Sequence, residues 1–288
     1  MQVKHLFLMM GLCLGLLPAG VAAEASSPRI VSADAGVTAV LRALGADNHL
    51  VGIDVTSVQT DKKILPVVGY HRQLATEGLL ALHPTLLIGG EHMGPPSTLS
   101  TLEAAGVTVL RLPSVQDGDG LLSNIRQLAK VVVQPEQAKP VLDQVQQKIT
   151  ALKQQALPKN SRVLFLLSAG NRGLRAAGVG TGGDALIHLL GANNVMTHNS
   201  YQPISAEAIM AINPDVILLA ADGSQNPMGD FLRDYPTLSV LKAAQAKNIL
   251  AVRSETLVAG LSILTLDEAL RLHEVMQKNT AQLAQKNL

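Results

Sequence analysis

Tyr70, Arg72 and Glu77 open a segment whose residue types and spacing can do chemistry. The tyrosine follows the strand-like run Val67-Val68-Gly69, with the arginine two residues on and the glutamate seven residues on. A guanidinium beside a phenol favours the phenolate over the neutral form. A phenolate is a hard anionic oxygen donor, and tyrosine oxygen is among the axial ligands that hold haem iron. The 288 residues contain three tyrosines, three phenylalanines and no tryptophan. Flat rings for stacking sugars or bases are therefore scarce, and each tyrosine gains weight as a candidate.

Other donors stand nearby. Glu91-His92-Met93-Gly94-Pro95-Pro96 follows the apolar run Thr85–Ile88, at the strand end where open α/β sheets receive ligands. His71, His92 and Met93 are candidates to line such a site or to reach a metal. Tyr201 precedes Glu207 by six residues, much as Tyr70 precedes Glu77, so it is expected on the opposite wall. Arg172 and Arg175 follow another strand-like run, and arginine suits carboxylates. His83, next to Pro84, and His188, on a helical stretch, read as structural. Gly178–Gly183 contains GxGxxG, but it lies in the second half beyond a short strand. It reads as a turn with close helix packing rather than a dinucleotide site.

The elements that must position these residues occur twice. Ala39–Asn48 and Ala185–Asn194 are amphipathic helices, each closed by a glycine (Gly45, Gly191) suited to a left-handed cap. Glu77–Ile88 parallels Glu207–Leu218, with His83-Pro84 matching Asn213-Pro214. In both copies a short helix stops before a proline, and a continuous apolar run follows, as in a strand buried on both faces. Strands are expected at Arg29–Val31, Leu50–Ile53, Thr85–Ile88 and Val107–Leu110, then at Arg162–Leu167, Val216–Leu219 and Asn248–Val252. The fold class is α/β: two Rossmann-like lobes with parallel sheets, 28–134 and 161–288. Residues 135–157, rich in Gln, Lys, Val and Leu at helical spacing, form a connecting helix of roughly 33 Å, a rigid strut where a flexible linker would be rich in Gly and Ser.

The N-terminus carries Lys4, an apolar run Leu6–Leu17 and a Val21-Ala22-Ala23 finish, the pattern of a secretory signal peptide over residues 1–23. The run is short for a membrane span, so no span is expected in the mature chain. Cys13, the single cysteine, falls inside that leader, and a hydrophobic core must do the work of disulfides. Removing Lys4 leaves 22 basic residues against 22 acidic ones. Such a balance argues against nucleic acid as a partner, which would call for a basic face.

Export, paired α/β lobes and a helical strut resemble the periplasmic substrate-binding proteins of iron-siderophore, haem and cobalamin ABC importers. Within that superfamily, Val68-Gly69-Tyr70-His71-Arg72-Gln73-Leu74 together with Gly94-Pro95-Pro96 resembles the haem (haemin) branch. The resemblance implies a monomeric periplasmic carrier, not an enzyme, with haem b as its transported ligand in the inter-lobe cleft. It implies Tyr70 as the axial iron ligand and Arg72 as the group that polarises its oxygen. Glu77 and Glu207 are implied as docking points for the permease at the inner membrane. Leu166–Asn171 lacks the histidine that some members use for a second haem, so one haem is expected. A ferric siderophore or cobalamin is the alternative cargo. Further alternatives are a zinc or manganese carrier using His71, His92, His198 and a carboxylate, and an exported haem-dependent enzyme, for which His92 is the acid–base applicant.

Overall fold

The computed structural model describes residues 27–61, 63–132, 135–168, 173–221, 226–257 and 260–286. The expected leader and Arg172 lie outside the described residues.

In the first half, β1 (Ile30–Ala33), α1 (Ala35–Ala43), β2 (Leu50–Ile53), α2 (Thr76–Leu80), β3 (Leu86–Gly90), α3 (Pro96–Ala104), β4 (Thr108–Leu112) and α4 (Gly118–Val132) alternate. The strands form a four-stranded sheet in the order β2-β1-β3-β4, every pair parallel. Every residue of β1 is buried, as a sheet covered on both faces requires. The connecting helix α5 spans Pro135–Gln154, 20 residues, or about 30 Å.

The second half contains β5 (Arg162–Ser168), β6 (Leu174–Ala177), α6 (Gly182–Leu189), β7 (Asn193–Asn194), β8 (Tyr201–Pro203) and α7 (Ala206–Ile212). They are followed by β9 (Val216–Ala221), α8 (Pro227–Asp234), α9 (Lys242–Gln245), β10 (Ile249–Val252) and α10 (Ile263–Lys286). Its sheet runs β10-β9-β5-β6-β8, with β7 beside β5. Here the expectation of purely parallel sheets needs amending. β5, β7, β9 and β10 are parallel, but β6 lies antiparallel on β5, and β8 antiparallel on β6. Leu174-Arg175-Ala176-Ala177 contains no β-branched residue, so strand propensity gives no warning of β6. Pairing with β5 supplies what propensity does not.

The duplicated sequence is also a duplicated backbone. His83 and Asn213 both adopt left-handed conformations, with φ of 47° and 44°. The carbonyl of His83 accepts from Arg29 Nε at 2.9 Å, and that of Asn213 from Arg162 Nη1 at 3.4 Å. The next strands start alike: Thr85 N–H donates to the Arg29 carbonyl and Asp215 N–H to the Arg162 carbonyl, both at 2.9 Å. His83 is thus structural, as read from its place beside Pro84.

One continuous apolar core runs under both halves. It joins Ile30, Ile53 and Ile88 of the first sheet to Val163, Phe165 and Leu218 of the second. Leu41, Ile125, Leu152, Leu186 and Leu272, from α1, α4, α5, α6 and α10, complete it. The outer faces carry smaller cores, around Leu79, Leu87 and Leu102 in the first half and around Ile209, Ile217 and Phe231 in the second. Helix α10 touches α1, α5 and α6, so it ties the halves together beside α5. No helix among the described residues is long and apolar enough to cross a membrane.

Glu268 of α10 is fully buried. Its carboxylate accepts from Arg253 N at 3.0 Å and Nε at 2.7 Å, and from Arg271 Nη2 at 2.6 Å. Burial alone would raise its pKa, but the hydrogen bonds from Arg271 and Arg253 outweigh burial and hold it below the usual glutamate value. Stability from this group is therefore present above the unfolded glutamate pKa of about 4.3 and lost as pH falls through the lower folded value. Glu268→Gln leaves two guanidinium groups against a neutral amide. Urea unfolding at neutral pH is expected to show a loss of about 3 kcal/mol, the low end for breaking a buried pair because both arginines can rehydrate.

Candidate functional site

The Tyr70 segment is built as an extension of β2. Ile53 N–H donates to the Pro66 carbonyl at 3.0 Å, Val68 N–H to the Ile53 carbonyl at 2.9 Å, and Val55 N–H to the Gly69 carbonyl at 2.9 Å. Gly69, at φ +92°, then turns the chain in a conformation that a side chain would oppose. A tight turn follows, with Gln73 N–H donating to the Tyr70 carbonyl at 2.7 Å. Gly94 clamps this turn from the β3 side. Its N–H donates to the His71 carbonyl and its own carbonyl accepts from Leu74 N–H, both at 2.9 Å. The two motifs that carried the resemblance therefore hold one another, and the Gly94–Pro95 peptide between them and α3 is cis.

Tyr70 and Arg72 line a cavity of about 660 Å³ between the halves, within the size range of small-molecule sites. Tyr70 is 41% exposed, its hydroxyl-bearing ring open to a ligand. His92 also lines the cavity, with Nε2 3.5 Å from the Glu91 carboxylate. The far wall is apolar, from Phe165 and Leu167 of β5 and Ala220 of β9, and is bounded by Gly180–Gly182 at the start of α6 and by Tyr201. The rim is completed by Ser254 and Leu257, in the segment that Glu268 anchors through Arg253.

Tyr201 stands on the wall opposite Tyr70, as the pseudo-symmetry implied, but its chemistry differs. Its hydroxyl accepts from Gly183 N–H at 3.3 Å, and its ring meets Phe165 edge-on at 6.3 Å. Burial pushes its phenol pKa up, so Tyr201 stays neutral and offers a ring and a hydrogen bond, not an anionic ligand. Arg175 donates to the Tyr201 carbonyl and does not line the cavity.

Two of the expected donors face elsewhere. Met93 is buried in the first-half outer core with Leu74, Leu87 and Leu99, because the missing side chain of Gly89 leaves room for its sulfur. His71 is buried too, its Nδ1 3.1 Å from Asp54 Oδ2. The arrangement thus brings together Tyr70, Arg72, His92 and Tyr201, and not His71 or Met93. Among the described residues no group of three or more His, Cys, Asp or Glu could hold a metal ion. The glycine-rich turn behaves as expected of close packing: a Cβ on Gly178 would collide with the His198 carbonyl, and one on Gly182 with the Leu257 carbonyl.

Beneath Tyr70 lies a polar layer that sequence reasoning missed. Asp54, directly after β2, accepts from Thr56 and Ser57 hydroxyls at 2.6 and 2.7 Å. Thr38 Oγ1 connects to Ser32 at 2.8 Å and to Ser57 at 2.7 Å. Asp34, at the end of β1, caps α1 by accepting from Val37 N–H at 3.0 Å. The available signal was an aspartate at a strand's carboxyl end, where α/β sites assemble. Glu77 and Glu207 are both exposed in the first turns of α2 and α7. A hydrogen bond from its own N–H and one from the Ser205 hydroxyl keep the Glu207 carboxyl below its usual pKa.

The family model described as periplasmic binding protein matches residues 30–256. Similar solved structures include the periplasmic haem-binding protein HutB of Vibrio cholerae, 39% identical at a TM-score of 0.79, covering 86% of this chain and 98% of that one. A periplasmic haem-binding protein from Pseudomonas aeruginosa is 35% identical at a TM-score of 0.75, covering 86% of this chain and 92% of that one. A vitamin B12-binding protein of Yersinia pestis (strain Pestoides F) is 24% identical over 204 residues, 69% of this chain and 72% of the relative.

Burial pushes the Asp34 carboxyl up to about 6. The Val37 hydrogen bond opposes the shift, and the Asp54 charge adds to it. The folded pKa lies above the unfolded value of about 3.9, so the folded state binds the proton more tightly and loses stability as pH rises from about 4 to about 6. Asparagine caps helices as well as aspartate does. Asp34→Asn is therefore expected to be more stable than the parent at neutral pH, by about 2–3 kcal/mol, and to converge with it near pH 4 in a series of denaturant titrations. A variant less stable at neutral pH would show that the ionised carboxylate is favoured where it sits.

Proposed function

Since the chain belongs to the periplasmic binding protein family, we propose that it captures ferric haem (haemin) in the periplasm and delivers it to an ABC permease. The observation that carries this reading is the pairing of Tyr70 and Arg72 on the wall of a cavity between two lobes. It is supported by solved haem-binding proteins that share the fold at 39% and 35% identity. The phenol oxygen of Tyr70 serves as the iron ligand. Arg72 offsets negative charge, either on that oxygen or on a porphyrin propionate. Tyr201 and the apolar wall of Phe165, Leu167 and Ala220 cover the opposite face of a flat ring, while His92 at the rim contacts the cargo's edge.

The protein acts as a carrier, not an enzyme. Residues 1–23 direct export, and the mature chain works as a monomer with lobes 28–134 and 161–288 about the 135–157 helix. One haem is carried per chain. Glu77 and Glu207 act as the permease contacts, since each projects from the first turn of a short helix at matching places in the repeat. Exposed charges in such positions steer and orient docking. The similarity to vitamin B12-binding proteins makes cobalamin the competing cargo.

Haemin titration followed by absorbance is expected to saturate at one equivalent with a ferric-phenolate spectrum. In Tyr70→Phe that spectrum should vanish, with affinity falling by more than the roughly 10–100-fold typical of losing an outer-shell partner. Cobalamin binding with no haemin spectrum would replace the cargo assignment. In vesicles holding the cognate permease, Glu77→Ala with Glu207→Ala should slow haem uptake while the haemin titration stays parental. Unchanged uptake would refute the docking role.

A further inference from the structure

We infer that Asp54 is a positioning residue for the Tyr70 ring, acting through His71; this rests on the haem-carrier reading above. Asp54 has no exposed surface, and a carboxylate placed there is tolerated only when its oxygens are satisfied. Ser57 occupies Oδ1 at 2.7 Å, while Thr56 and His71 Nδ1 occupy Oδ2 at 2.6 and 3.1 Å. The backbone N–H of Asp54 donates to the Ser32 carbonyl at 3.0 Å, which roots the carboxylate on the end of β1.

His71 is held at both ends: its ring by Asp54, its carbonyl by Gly94 N–H. The contact with Asp54 Oδ2 at one ring nitrogen and the backbone bond at the carbonyl together hold the imidazole in one orientation. The Tyr70 ring lies against that imidazole, with centroids 4.2 Å apart and planes at 49°. His71 is the middle of three residues whose outer two, Tyr70 and Arg72, both line the cavity. His71 is buried on its acceptor, while Tyr70 and Arg72 on either side of it are exposed. Thr56, the other side chain on Oδ2, also lines the cavity, so one carboxylate sets two points of the wall. A metal ligand whose ring is held by an outer partner binds with defined geometry, and losing such partners weakens metal sites.

The test compares Asp54→Ala, Asp54→Asn and the control Thr38→Val, which removes a hydroxyl from the same buried layer without touching His71. The Tyr70 ring resonances of the ligand-free protein are followed by NMR, together with the haemin spectrum and the haem release rate. Asp54→Ala is expected to move the Tyr70 ring resonances, broaden the ferric-phenolate spectrum and speed release roughly ten-fold. Asparagine should restore part of each, and Thr38→Val should keep parental resonances and spectrum. Parental resonances, spectrum and release in Asp54→Ala would overturn the inference. If that variant does not fold, His71→Phe decides. It keeps a ring against Tyr70 but loses the link to Asp54, and a Tyr70 signal and spectrum like the parent's would again overturn it. If the parent binds no haemin, the carrier reading fails, while the ligand-free NMR comparison still determines whether Asp54 sets the ring.

Discussion

The apolar core shared by the two halves is the constraint on which the rest of this structure depends. With Cys13 its single cysteine, the chain can form no internal disulfide to hold two lobes at a set separation. It uses buried surface instead, passing from the first sheet through α1, α4 and α5 into α6, α10 and the second sheet. The strut is therefore not a rod between two independent bodies. It is one member of a layer that both lobes need in order to bury their inner faces, and α10 returns to close that layer. The cavity walls inherit their spacing from it.

On this frame the site is assembled by backbone before side chains enter. The Tyr70 turn hangs from Ile53 on one side and from Gly94 on the other, with the carbonyls of Gly69, Tyr70 and His71 and the N–H groups of Gln73 and Leu74 paired within the fold. Side-chain direction is then settled by burial. His71 goes in, and Tyr70 and Arg72 go out. The facing wall offers apolar surface and a tyrosine whose hydroxyl is already engaged. The two tyrosines related by the repeat have thus diverged, one available as a donor oxygen and one committed to its own helix terminus.

Much of this was legible in the residues alone. The repeat of helix, residue and proline at His83-Pro84 and Asn213-Pro214 marks a local backbone geometry that those side chains can adopt, and local rules read well from local sequence. Gly45 and Gly191 close their helices with φ of 77° and 72°, for the same reason. Tyr70 drew notice because tyrosine is rare in a chain this poor in aromatics, and the fold places it with Arg72 on the cavity wall. What escaped notice is non-local. Met93 looks like a cleft residue until the space above Gly89 is seen to accept it. His71 looks like a donor until Asp54, 17 residues earlier, is found beside it. The antiparallel β6 and β8 depend on pairing partners, not on their own composition, and no periodicity in Leu174–Ala177 announces them.

The shared core has a consequence for the opening between the lobes. Phe165 sits in the same apolar cluster as Ile30 and Ile88 of the other half, and it also lines the cavity. Parting the lobes would uncover part of that cluster to water, at a cost of roughly 25 cal/mol for each Å² of apolar surface exposed. The walls of the cleft thus resist separation for the same reason that the chain folds at all.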